Sequence, residues 1–201
     1  MLLGFLQTLP ACGGTTEGKK GLLPLGSEAP DFSLTDVVTG KRVSLADFSD
    51  KKALVVIFMC RHCPYVQHVK KEIVRLGEDY AAKGMGLVGI SSNDPAAYPD
   101  DAPEGLAEMA KAEKFTFPLL FDETQEVARA YTAVCTPDVF IFDKARKLVY
   151  RGQFDDSRPF GTKTPSGKDV RDAVEAVLND RPVSTDQKPA VGCSIKWKPG
   201  S

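Results

Sequence analysis

The chain has 201 residues, 42% of them apolar, with 26 Lys and Arg against 27 Asp and Glu for a net charge of −1. That length and apolar content suit one domain with a buried core, and the even charge balance gives no electrostatic footing for nucleic acid or an anionic membrane surface. No apolar run approaches the roughly 20 residues that span a bilayer, so neither nucleic acid nor a membrane is expected as a partner.

Residues 1–25 are expected to be a flexible leader. Leu9-Pro10-Ala11-Cys12 is loosely similar to a lipoprotein cleavage site, but a positive n-region is missing and the apolar stretch is short for a signal. The domain proper is expected over 26–181, with a polar tail over 182–201 whose apolar anchors are Ile195 and Trp197. Two short strands, 32–34 and 42–45, joined by Thr39-Gly40, predict an opening hairpin. Residues 53–59 (Ala-Leu-Val-Val-Ile-Phe-Met) form a continuous apolar run, the mark of a strand buried on both faces. A helix over 64–83 follows, with Pro64 in its first turn, an apolar stripe of Val66, Val69, Ile73, Leu76 and Tyr80, and Gly84 as its stop. A second core strand, 86–90, completes a parallel strand–helix–strand unit.

Residues 93–103 read as a polar surface loop, followed by a helix over 103–114 and a strand over 118–121. Asp122-Glu123-Thr124-Gln125 has the pattern of a capping box with Asp122 as N-cap of a short helix ending near Tyr131. Strands 139–142 and 148–150, joined by a charged turn, should pair antiparallel. A last helix spans 168–179. The order predicts an α/β fold with a central mixed β-sheet of four to five strands flanked by helices, an N-terminal hairpin and an inserted helix and strand.

The five cysteines, Cys12, Cys60, Cys63, Cys135 and Cys193, are odd in number and unevenly spaced. That argues against a disulfide scaffold and for redox use of some thiols. The strongest signal is Cys60-Arg61-His62-Cys63-Pro64 at a strand-to-helix junction. A cysteine in the first turn of a helix faces unpaired N–H groups and the positive end of the dipole, both of which favour thiolate, the nucleophilic form. Arg61 and His62 add positive or hydrogen-bonding character. A zinc half-site is the competing reading, but Cys60, Cys63 and His68 lack a fourth ligand at knuckle spacing, so neither metal nor cofactor is expected. The second signal is Cys135-Thr136-Pro137 before a strand. In a redox fold of this kind the Thr136–Pro137 bond is expected to be cis, bringing a backbone turn against the reactive thiol.

At these residues the chain resembles the thioredoxin-like superfamily and, within it, the redoxin or AhpC/TSA peroxiredoxin-like group of bacterial proteins. The segments that carry the resemblance are Ala29-Pro30-Asp31-Phe32, the junction 58–66, Thr136-Pro137, Arg151-Gly152-Gln153-Phe154-Asp155-Asp156-Ser157-Arg158-Pro159 and Gly192-Cys193-Ser194-Ile195-Lys196-Trp197-Lys198. The resemblance implies a thioredoxin-like fold. Its register, counted from Phe58, puts the first thioredoxin cysteine on Cys63 and the second on Val66, so Cys60 lies one motif length early. The peroxiredoxin Pro-x-x-x-Thr-x-x-Cys pattern is not met before Cys63, where Val56 and Cys60 stand at its Pro and Thr positions. The stretch 62–67 also resembles Sco-type copper chaperones, which place a second cysteine where Gln67 stands.

The expected activity is thiol–disulfide exchange through the Cys63 thiolate, with Cys60 and Cys135 as candidate resolving thiols and Cys193 able to swing in from the tail. His62 is read either as a group that tunes Cys63 or shuttles a proton, or as a ring flanking the site. Thr136 and Pro137 complete the candidate site. Thiol-dependent peroxide reduction is the alternative, and a redox-sensing or copper-binding module the third. The expected partners are protein or small-molecule thiols and disulfides with a thioredoxin-type reductant, the chain acting as a monomer or weak homo-oligomer in a reducing cytoplasm.

Overall fold

In the computed structural model, which describes residues 21–200, the chain opens with a hairpin of β1 (Ser33–Asp36) and β2 (Arg42–Ser44). Cys12 and residues 1–20 of the expected leader lie outside the described residues. Asp36 ties the hairpin turn by accepting from Thr39 Oγ1 at 2.6 Å. Leu23 and Ala29 pack against the core ahead of the hairpin.

β3 (Ala53–Phe58) is buried along its whole length. Its side chains alternate between two clusters, Ala53, Val55 and Ile57 on one face and Leu54, Val56 and Phe58 on the other. α1 (Pro64–Ala81) buries the stripe of Val66, Val69, Ile73, Leu76 and Tyr80. It ends two residues before the expected boundary, ahead of Gly84 at φ 95°. β4 (Met85–Ser91) runs parallel to β3.

The segment after β4 departs from the sequence reading. Asn93, Asp94 and Asp101 are all buried rather than on the surface, because the Asn93 and Asp101 side chains bond the site and the C-terminal tail and the Asp94 N–H bonds the tail at Lys196 O. α2 (Pro103–Ala112) and β5 (Leu119–Phe121) follow. β5 pairs parallel with β4 and antiparallel with β1, which draws the hairpin into the main sheet. α3 (Glu126–Tyr131) has Gln125, at φ 63°, as its N-cap instead of Asp122. Asp122 still serves the helix start from further back, accepting from the Ala128 N–H at 2.9 Å while Ser92 Oγ donates to it at 2.8 Å.

β6 (Cys135–Thr136), β7 (Asp138–Phe142) and β8 (Leu148–Gly152) come next, β7 and β8 pairing antiparallel as expected. α4 (Lys168–Leu178) packs on β3 and β7, and β9 (Cys193–Ser194) lies in the tail. The main sheet has seven strands in the order β2-β1-β5-β4-β3-β7-β8, more than the four to five expected, since the hairpin joins it through β5. β6 and β9 form a separate two-stranded ribbon. Among the described residues no helix is long and apolar enough to cross a membrane.

Candidate active site

β3 ends at Phe58, and the chain leaves the sheet through Met59 and Cys60 before α1 begins. Pro64 fixes the first turn of α1 without losing a needed N–H, and this makes Cys63 the N-cap, with extended backbone at φ −70° and ψ 121°. Opposite, the Thr136–Pro137 peptide bond is cis, as expected for this fold. Cys63 Sγ lies 3.1 Å from the Thr136 carbonyl, and Cys60 Sγ lies 3.2 Å from Thr136 Oγ1. The two cysteines of the Cys-x-x-Cys and the proline turn therefore meet at Thr136.

Cys63 is 0% exposed. Its pKa nonetheless falls from 9.0 to about 5, chiefly because the Cys60 S–H bonds to the sulfur; burial opposes this, while the Cys193 thiol, Thr136 and the Val66 backbone N–H assist it. Cys60 moves strongly the other way, held as a thiol by its bond to Cys63, by burial and by the negative charge of Asp101. Coupled in this way, the pair gives up its first proton more readily than a lone thiol and its second less readily.

His62 points into the structure. Its Nδ1 bonds the buried Asp101 carboxylate and lies 3.8 Å from Cys60 Sγ, and its ring stacks on Tyr98 at 4.5 Å. It is not a surface ring, and the sulfur it faces is Cys60 rather than Cys63. Asp101 also accepts from the backbone N–H groups of Arg61 at 2.7 Å and His62 at 3.0 Å and from Asn93 Nδ2 at 2.8 Å. This carboxylate clamps the turn between Cys60 and Cys63. Sequence reasoning missed Asp101, Asn93 and Tyr98, since a polar loop carries no periodic signal of burial. Arg61 is directed away from the sulfurs, to Gly105 O at 3.0 Å and Glu108 at 2.8 Å.

Cys135 is buried, but its neighbour Thr136 turns its side chain toward Cys60, and alternation along β6 sends the Cys135 thiol to the opposite side. Its Sγ lies 3.8 Å from Pro137 O. Cys193 joins the site instead: it stands opposite Thr136 in the β6–β9 pairing and packs against the core cluster that contains Cys60 and Cys63. His68, half-buried on α1, bonds Ser157 Oγ at 3.0 Å. Asp155 and Arg158 do not pair as carboxylate and guanidinium. Asp155 accepts from the Ser166 and Gly167 N–H groups, each at 2.7 Å, and Arg158 donates to the Asp155 and Ser157 carbonyls.

Cys60, His62 and Asp101 bring three donor atoms within 4.8 Å of one another, the arrangement among the described residues best able to hold a metal ion. A structural zinc takes about four ligands, and the His62 nitrogen facing this cluster is already bonded to Asp101.

The AhpC/TSA family model matches residues 25–151. An uncharacterized conserved protein from Geobacillus kaustophilus has a crystal structure that superposes with a TM-score of 0.86 at 52% identity, covering 89% of this chain and 94% of that one. A Mycobacterium tuberculosis protein provisionally named a peroxiredoxin is 33% identical over 108 residues, 54% of this chain. The chain spans 63% of that relative's length. A thiol-disulfide oxidoreductase ResA, also from Geobacillus kaustophilus, is 27% identical over 130 residues, 63% of this chain and 67% of the relative. Solved thioredoxin-family proteins share the fold, which is thioredoxin-like.

Proposed function

The chain belongs to the AhpC/TSA family, and on that premise we propose that it is a thiol–disulfide oxidoreductase whose attacking group is the Cys63 thiolate. The observation that carries this reading is the Cys63 sulfur at the head of α1, depressed to about pKa 5 and 3.1 Å from the backbone of the cis-proline turn. At neutral pH such a thiol is largely ionised, and thiolate is the form that attacks disulfides. The attack joins Cys63 to one substrate sulfur and expels the other as a thiolate, which takes up a proton. A second cysteine then displaces the first substrate sulfur. In this reading His62 and Asp101 act through Cys60: together they position the turn, and the Asp101 charge favours the protonated Cys60 that donates to Cys63. Thr136 and Pro137 form the wall beside the reacting sulfurs.

The substrates proposed are protein or small-molecule disulfides, with a thioredoxin-type dithiol as reductant. The protein is proposed to act as a monomer or weak homo-oligomer in a reducing cytoplasm, without nucleic acid or membrane. Residues 26–181 would be the redox domain and 182–201 its tail. Peroxide reduction by the same thiolate is the second reading, supported by the family and by the name of the mycobacterial relative.

Reduction of insulin or of hydroxyethyl disulfide by the purified protein, with dithiothreitol as electron source, tests the proposal. Wild type should turn over and Cys63→Ser should not. Peroxide consumption with disulfide reduction absent would instead favour the second reading.

A further inference from the structure

The tail does not merely lie on the domain; it occupies the free edge of the cis-proline turn. β9 pairs antiparallel with β6, Cys193 opposite Thr136 and Ser194 opposite Cys135. The approach is so close that a Cβ on Gly192 would sit 2.0 Å from the Thr136 carbonyl oxygen, a distance only glycine permits. The segment is held on both sides. Before it, Gln153 N–H donates to Lys188 O at 3.1 Å. After it, Ile195 N–H donates to Val134 O at 3.2 Å, Lys196 N–H to Asn93 Oδ1 at 2.8 Å, and Asp94 N–H to Lys196 O at 2.8 Å. Between these anchors a few residues carry Cys193 to the site, opposite Thr136, whose carbonyl lies 3.1 Å from Cys63 Sγ, and against the cluster that contains Cys63.

We propose that Cys193 is the resolving cysteine, and that β9 is the built-in strand whose return to β6 closes a Cys63–Cys193 disulfide and expels the product. The proposal rests on the oxidoreductase reading above. An extended peptide or small disulfide that reaches Cys63 must first displace Gly192–Cys193 from the Thr136 edge, since the sulfur has no exposed surface while β9 is paired. Once the mixed disulfide has formed, β9 re-pairs with β6 and Cys193 attacks the Cys63 sulfur. Cys63–S–S–R and HS–Cys193 become Cys63–S–S–Cys193 and HS–R. The substrate disulfide is reduced by two electrons, the protein dithiol is oxidised by two, and the Cys193 proton leaves with the product thiol. Neither rival is on a segment that can leave and return. Cys135 faces the other side of β6, and Cys60, though it neighbours Cys63, is fully buried in the turn clamped by Asp101 with its sulfur 3.2 Å from Thr136 Oγ1, whereas Cys193 is only partly buried.

The test treats reduced full-length protein and its Cys193→Ser, Cys60→Ser and Cys63→Ser variants with glutathione disulfide, followed by non-reducing peptide mapping and turnover assays. Wild type and Cys60→Ser should yield a Cys63–Cys193 link. Cys193→Ser should accumulate glutathione on Cys63 and lose about tenfold or more in turnover, because release then depends on a thiol from solution rather than a tethered one. A Cys60–Cys63 bond in wild type, with turnover of Cys193→Ser unchanged, overturns the inference and leaves the oxidoreductase reading standing. Cys63 left unreacted, joined neither to glutathione nor to another cysteine, in wild type and in Cys193→Ser alike, overturns both.

Discussion

The Cys60 S–H aimed at Cys63, stronger than the burial that opposes it, is what brings that thiol to about 5. Alkylation of the reduced protein by iodoacetamide should therefore rise with a midpoint near pH 5, and Cys60→Ala, which removes the donor, should move the midpoint up by about one unit or more. Because the folded pKa lies below the unfolded one, the associated stabilisation is complete above the unfolded thiol value and lost as pH falls through about 5. Asp138 has the opposite sign. Burial, only partly offset by Arg151 at 3.3 Å and the Val134 N–H, raises its carboxyl from 3.8 to about 6. Its ionisation costs stability as pH rises through that window, at about 1.4 kcal/mol per unit. Asp138→Asn should flatten the loss of stability between about pH 4 and pH 6, read from urea midpoints against wild type.

Among the elements, β9 is the smallest and the most consequential for the site. Gly192→Ala should force the ribbon apart, since no adjustment short of moving the Thr136 backbone accommodates a Cβ 2.0 Å from its oxygen. The expected outcome is faster alkylation of Cys63 at pH 7 with the far-UV circular dichroism of the fold retained. A merely structural glycine on the surface would leave the alkylation rate unchanged. This element was also the hardest to read in advance. The stripe of Val66, Val69, Ile73, Leu76 and Tyr80 repeats over about four turns and makes α1 legible, and the run from Ala53 does the same for β3. β6 and β9 hold two residues each, too few for any period. What places them is a pairing between residues 135–136 and 193–194 that local sequence does not encode. Asp101 escaped notice for a related reason: its partners are the backbone and side chains of Arg61, His62 and Asn93, distant or irregular in sequence.

For the molecule as a whole, the sheet divides the apolar interior in two, and β3 supplies side chains to both halves. Ile57, the penultimate residue of that strand, is flanked by Gly89 and Val139 and fully buried. Ile57→Ala should cost about 2–5 kcal/mol in urea unfolding, through lost contacts and the cavity left behind. The strand–helix–strand unit was legible because each part carries its own pattern, whereas the seven-stranded extent was not, because β1 reaches β5 across more than eighty residues of intervening chain. The zero exposure of Cys63 has a kinetic meaning as well. A nucleophile sealed under its own chain reacts only during excursions of the cover, so at high reagent concentration its modification rate should level off at the frequency of opening. Speed toward large and small disulfides alike would then be governed by how often the seal breathes, and only below that ceiling by how strongly the sulfur attacks.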